Sequence, residues 1–216
     1  RNSAFIVPLD SPGFEIVRDV ETMGGNHNHP EVRYNDVRVP KENLLGERGG
    51  GHKLGQVRLG PARLAHCMRW LGQIEMALEM LIDRAQKRFA HGSLLSEKQS
   101  IQWMMSDSAM ELYSSKLMVL HAAYKIENGM EFKQEVSMAK HHVANTLWRV
   151  VDRAMQVHGA LGYSTDTPLA GMMQQARWAR LADGADEVHQ MRIAELLMKA
   201  YNSDGSINQG VGGLPL

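Results

Sequence analysis

Residues 64–89 read LAHCMRWLGQIEMALEMLIDRAQKRF, and their spacing decides the fold. Leu64, Cys67, Met68, Leu71, Ile74, Leu78, Leu81, Ile82, Ala85 and Phe89 recur at three- and four-residue steps, the period of a helix with one apolar face. Extended back to about Leu54, the stripe predicts a helix of roughly 35 residues, about 50 Å long at 1.5 Å per residue. Helices of that length belong to bundles and coiled coils.

Downstream, Gly92-Ser93 breaks the run, and Ser96 to Gln99 has the form of a capping box with Ser96 as N-cap. A second helix is expected from there to Asn128-Gly129, with two apolar faces. One is Ile101, Met105, Leu112, Val119 and Ile126; the other is Met110, Tyr113, Leu117, Leu120 and Tyr124. Two such faces call for neighbours on both sides, either two helices or one helix and another subunit. A third helix is expected from Phe132 to Val157, with Val136, Ala139, Val143, Leu147, Val150, Ala154 and Val157 close to a heptad seam. His158 to Tyr163 reads as a glycine-punctuated loop. Thr167-Pro168 opens a fourth helix with stripe Leu169, Met172, Met173 and Ala176. A last helix follows Asp186, with Val188, Met191, Ala194, Met198 and Tyr201. Short connections make these helices mostly antiparallel neighbours.

Upstream, residues 1 to about 50 read as β structure. Strands are expected at Ala4–Val7, Phe14–Val17 and Glu31–Val39, with Val32, Tyr34, Val37 and Val39 as buried positions and a turn at Met23–Asn26. Three short strands need a sheet partner that this sequence does not contain. Gly46 to Gly51 is a hinge or turn region, and the chain, starting at Arg1 with a strand at once, reads as cut from something larger, or as processed to the same start. The fold class is therefore mainly α.

Composition narrows the partners. The 216 residues are 44% hydrophobic, enough for a real core. Twenty-four basic against 24 acidic side chains argue against nucleic acid or an anionic membrane. No apolar run spans a bilayer. The single cysteine, Cys67, excludes an internal disulfide and suits packing in a reducing compartment. No metal site is expected. Glu-x-x-His, the helical di-metal signature, is absent; Asp186 to His189 is the nearest approach. His141 and His142 are adjacent and face different sides of a helix, and Asn26 to His29 reads as a solvated turn.

Three features could carry chemistry. Asp183, beside Gly184, places a carboxylate on a short loop between helices, a good mount for a general base. The plain alternative is a helix C-cap at Asp183-Gly184 and an N-cap at Asp186. Arg63 and Arg88 could grip a phosphate, or simply solvate a helix face. Gln156 to Gly162 could cradle a phosphate, or simply end the third helix.

Together these stretches resemble the acyl-CoA dehydrogenase family. Val37-Arg38-Val39-Pro40 with Asn43-Leu44-Leu45-Gly46 is similar to the exit from that family's middle β-domain. Arg58-Leu59-Gly60-Pro61-Ala62-Arg63 resembles its first C-terminal helix. Arg88 with Leu95-Ser96-Glu97-Lys98-Gln99, Gln156 to Tyr163, and Arg180 to Glu187 resemble three further blocks, in order. The resemblance implies the tail of a β-domain over residues 1–52, a C-terminal four-helix-type bundle over 53–201 and a flexible tail over 202–216. It implies an FAD enzyme, homodimeric or homotetrameric, that α,β-dehydrogenates fatty acyl-CoA in β-oxidation and passes electrons to an electron-transfer flavoprotein or similar acceptor. Such an enzyme would be cytoplasmic in a bacterium and mitochondrial or peroxisomal in a eukaryote.

By position, Asp183 matches the family's base, where most members carry glutamate. The carboxylate is one methylene shorter, about 1.5 Å, and a misplacement near 1 Å can cost about a hundredfold. Arg63 and Gly184 match substrate positions, with Gly60 where the family usually has aspartate. Arg88, Gln99, Gln156, Val157, His158, Gly159, Ala160, Ala185 and Glu187 match flavin positions, several of them reaching a neighbouring subunit's cofactor. Ala160 stands for the usual glycine, and Ala185 lacks the usual threonine hydroxyl. Two other readings stay open: a helical assembly module of the same fold without turnover, and an acyl-CoA oxidase. The missing N-terminal half would leave this piece incomplete for catalysis by itself.

Overall fold

The computed structural model describes residues 2–205 and divides into two compact units, residues 1–59 and 60–216. In the first, β1 (Ala4–Phe5) pairs antiparallel with β4 (Leu44–Leu45), while β2 (Phe14–Thr22) and β3 (Gly25–Tyr34) form a hairpin. The hairpin is longer and earlier than expected. β3 starts at Gly25, so Asn26 to His29 lie in the strand and not in a turn, and it stops at Tyr34, short of Val39. Cross-strand pairs hold it: Arg18 Nε to Glu31 Oε2 at 2.8 Å, Arg33 Nη1 to Glu15 Oε2 at 3.1 Å, and Phe14 edge-on to Tyr34 at 5.3 Å. Val32 and Tyr34, expected inside, are exposed, as are Ile16 and Val17. A two-stranded ribbon has no second layer to bury them. Near the hinge, a Cβ on Gly51 would come 2.8 Å from the Ala4 nitrogen, so the chain can pass there only as glycine.

Helix α1 (Gly51–Lys87) realises most of the opening stripe, but Met68, expected on it, is exposed. Leu64, Cys67, Ile74, Leu78, Leu81 and Ala85 are buried in the second unit. Phe89 is not part of the helix: β5 (Phe89–Ala90) and β6 (Ser93–Leu94) make a small hairpin after it. α2 (Gln99–Glu127) starts later than the capping-box pattern predicts. Glu97 accepts from the Leu94 N–H at 3.3 Å, and Ser96 instead offers its carbonyl to Gln102 Nε2 at 2.9 Å. α3 (Lys133–His158) is the central rod, and all seven of its expected seam residues are buried. It packs against α2, the one-turn helix α4 (Ala160–Tyr163), α5 (Leu169–Ala179) and α6 (Asp186–Asp204). α4 replaces the loop expected after His158. Gly162 permits it, since a Cβ there would meet the Met155 carbonyl oxygen at 2.7 Å.

One hydrophobic cluster joins α1, α2, α3 and α5. At about 25 cal/mol per Å² of apolar area, each fully buried leucine or isoleucine contributes roughly 2 kcal/mol. The second face of α2 and the expected stripe of α6 do not join it: Met110, Tyr113, Leu117, Leu120 and Tyr124, and Val188, Met191, Met198 and Tyr201, are exposed. α6 turns Asp186 and His189 inward in their place. The helix continues through Asp204, so Asn202 does not begin the tail, and residues 206–216 lie outside the described residues. Among the described residues no helix is long and apolar enough to cross a membrane, and no three His, Cys, Asp or Glu converge as a metal site.

Candidate active site

The segment between α5 and α6 is held in a costly shape. Asp183 has φ +52° and Gly184 φ +114°. Aspartate tolerates the left-handed region better than most residues but still pays for it, so the surroundings must enforce it. Two cations do so. Arg63 Nε donates to the Asp183 carbonyl at 2.8 Å, and Lys140 Nζ donates to the Gly184 carbonyl at 2.6 Å. A side chain at Gly184 would be strained by that φ, and its Cβ would lie 2.8 Å from His189 Nε2, so the imidazole would have to shift.

The carboxylate of Asp183 is a quarter exposed, and His66 Nε2 lies 3.1 Å from Oδ2. Oδ1 takes no hydrogen bond among the described residues. His66 stacks on Trp70 at 5.5 Å and meets the edge of Trp178 at 5.4 Å. Asp186, one turn on, is the structural carboxylate. Its Oδ2 accepts from Arg180 Nε at 2.7 Å and Asn145 Nδ2 at 3.1 Å, and His141 Nδ1 lies 3.5 Å from Oδ1. Burial would push this carboxyl up; the hydrogen bonds from Arg180 and Asn145 outweigh it and hold it below the usual range.

The same cluster disfavours the charged form of His189 and His66. Burial, then Lys140 and Arg63, push His189 down to about 4. Burial, then Arg69, lower His66. Lys140 is fully buried. Burial lowers its ammonium, opposed by Asp186, Cys67 and Asp183. Cys67 is buried and its thiol is pushed up to about 12 by that burial, so it is packing and not a nucleophile.

Arg63, Asp183 and Gly184 thus come together. Ala185 follows as the residue before α6, and Glu187 is exposed on its first turn. Arg88, Gln99 and Gln156 are exposed, and among the described residues no hydrogen bond ties their side chains to the Asp183 cluster. Val157 and His158 turn into the core, His158 Nδ1 lying 2.8 Å from the Ala154 carbonyl, so only their backbone is available to a ligand. Gly159 has φ +65° with open space around it, and Ala160 is exposed beside it. Gly60 has a reason of its own: a Cβ would come 2.9 Å from the Phe132 ring, which occupies the place of a longer side chain.

Sequence reading missed His66, Lys140 and His189. His66 lies three residues after Arg63, on the same helix face. Lys140 follows seam residue Ala139, where a solvated lysine is ordinary. Only the His66 signal was available.

Residues 49–198 match the family model described as the acyl-CoA dehydrogenase C-terminal domain. The chain belongs to the acyl-CoA dehydrogenase family. It is 42% identical over 198 residues to the Mycobacterium tuberculosis protein named probable acyl-CoA dehydrogenase FadE2, covering 90% of this chain and 49% of that protein. With mouse acyl-CoA dehydrogenase family member 10 it shares 40% over 204 residues, 92% of this chain and 19% of the relative. Butyryl-CoA dehydrogenase from Megasphaera elsdenii superposes with a TM-score of 0.82 at 30% identity, covering 91% and 51%. The chain spans about half, or less, of the length of these acyl-CoA dehydrogenase relatives.

Proposed function

We propose that this chain is the C-terminal part of an FAD-dependent acyl-CoA dehydrogenase in which Asp183 removes the α-proton of a fatty acyl-CoA. The observation that carries the reading is the mount of Asp183. Its backbone is clamped by Arg63 and Lys140, His66 Nε2 lies 3.1 Å from one carboxylate oxygen, and the other takes no hydrogen bond among the described residues. A base must be fixed and must also have a lone pair to spend. Arg63 uses only Nε on the loop, which leaves the far end of its guanidinium for the acyl-CoA.

The residues fit a flavin. Arg88, Gln99 and Gln156 are exposed donors without side-chain partners among the described residues, suited to pyrophosphate and ring polar groups. The backbone of Val157 to Ala160, open at Gly159, and Ala185 with Glu187 would complete the holding set. When bound, FAD supplies the acceptor for the β-hydride. Asp183 takes the α-proton on its free oxygen, while the half-buried Arg63 and the buried Lys140 keep the loop from moving.

In the flavin-loaded protein, Asp183→Asn should abolish bleaching of the flavin by acyl-CoA; bleaching at the original rate would rule out Asp183 as the base. A second reading, a helical assembly module without turnover, is favoured by the exposed apolar faces of α2 and α6. These faces also suit a homodimer or homotetramer. An absorbance spectrum separates the two, since a colourless protein that still oligomerises supports the module. Electron-transfer flavoprotein as acceptor, oxygen in an oxidase variant, and a bacterial cytoplasmic or eukaryotic mitochondrial or peroxisomal setting are part of the same proposal.

A further inference from the structure

Arg180 ends α5, Asp186 begins α6, and the two residues are joined twice. The Asp186 N–H donates to the Arg180 carbonyl at 3.1 Å, and Arg180 Nε donates to Asp186 Oδ2 at 2.7 Å. The segment between them is thereby closed into a ring, with Asp183 midway along it. Asn145 Nδ2 ties the same carboxylate oxygen to α3 at 3.1 Å and also reaches the His141 carbonyl at 2.9 Å, as an amide with two N–H groups can.

Asp186 is not an ordinary helix cap. The cap position is Ala185, and among the described residues neither oxygen of Asp186 accepts from an N–H of α6. A carboxylate that only favoured the positive end of a helix could remain in water. This one is buried, which is costly unless its partners are held in place. Those partners sit at the end of α5 and on α3, so the burial joins three elements where the turn begins and ends. Asp183 needs such a closure. Its φ of +52° and the +114° of Gly184 persist only where the surroundings enforce them. Arg63 and Lys140 hold carbonyls inside the ring, at Asp183 and Gly184, and do not stop its two ends from separating. With the ends free, Asp183 can relax out of the left-handed region, and its carboxylate swings away with the Cβ.

We propose that Arg180 and Asp186 are positioning residues, an ion-paired clasp that closes the turn and holds the Asp183 carboxylate where a base must stand. The proposal rests on the reading of Asp183 as the base. Neither residue of the clasp takes part in the proton transfer.

Amide hydrogen exchange reads the closure without reference to turnover. In Arg180→Met the amide of Asp186 should exchange about tenfold faster or more, because the turn opens locally, while the amides of Val143, Leu147 and Val150 in α3 keep their rates. That variant leaves the buried carboxylate with less to hold it, so the double variant Arg180→Met with Asp186→Leu is made beside it. The double variant leaves no buried charge and should recover thermal stability. In the flavin-loaded protein it should still lower kcat for flavin reduction by acyl-CoA by about tenfold to a hundredfold, with KM nearly unchanged. Arg180→Lys keeps a donor for Oδ2 and should retain most of the rate. An ion pair that served stability alone would give back the rate together with the stability. Wild-type kcat in the double variant, an unchanged Asp186 exchange rate in Arg180→Met, or an equal rise at the α3 amides overturns the clasp. Unchanged flavin reduction in Asp183→Asn overturns the base reading and the positioning role with it, whatever the exchange rates, so the two failures are distinguishable.

Discussion

Gly184 is where the tolerance of the site is narrowest. Gly184→Ala places a methyl 2.8 Å from His189 Nε2 at a backbone angle that L residues avoid. The expected cost is about 2–4 kcal/mol, from backbone strain and overpacking together, read as a lower urea midpoint. His189 gives the site a pH dependence. Its pKa is about 4 folded and near 6.5 in an unfolded chain. Between those values the unfolded state binds more protons, so stability is complete above about pH 6.5 and is lost as pH falls towards 4. His66 and His142, both lowered chiefly by burial, act with the same sign. Thermal unfolding should fall by the equivalent of on the order of 2 kcal/mol between pH 7 and pH 5, and His189→Gln should flatten that slope. A slope unchanged in the variant would assign the effect to the other two histidines.

The helices meet through ionic ties as well as apolar seams. Between α2 and α3, Glu111 accepts from Arg149 Nε at 2.8 Å and from Arg153 Nη1 at 2.9 Å, and Arg153 also reaches Ser108 Oγ at 3.1 Å. Removing the one anion leaves two partly buried guanidiniums facing each other. Glu111→Gln should therefore destabilise by about 2–3 kcal/mol, measured by chemical denaturation, and by more than the double change that also replaces Arg153. The seam of α3 was legible because apolar residues at heptad spacing have only one place to go. Lys140 beside it was not, because a lysine is normally a surface residue, and the groups that make its burial tolerable, the Gly184 carbonyl with Asp186 and Asp183, lie more than 40 positions away.

At the scale of the whole molecule, α2 presents an apolar face that is exposed in this chain. Leu117 and Leu120 are exposed together with Tyr113 and Tyr124. Patches of this kind mark interaction sites. Leu117→Lys with Leu120→Lys should leave helical content intact and shift the protein to a smaller species in sedimentation. An unchanged mass would remove α2 as an assembly face. The two-faced pattern of α2 told of a need for a second neighbour without saying whether another helix or another chain meets it; among the described residues, no buried residue of the core comes from that face.

What the sequence by itself determined was the set of rods. Helical periodicity is local, so α1, α2, α3 and α5 and the inward faces of the first three could be read from spacing alone, and the ordered blocks pointed to the family. What only the tertiary structure decided was the surroundings of Asp183. Arg63, His66, Lys140 and His189 lie on three helices, and their meeting at one left-handed turn depends on how those helices pack. The same holds for α6, whose apolar stripe faces outward because its inward side is taken by Asp186 and His189. Periodicity fixes which residues share a face; the burial of charge needs partners distant in the chain, and no local pattern encodes them.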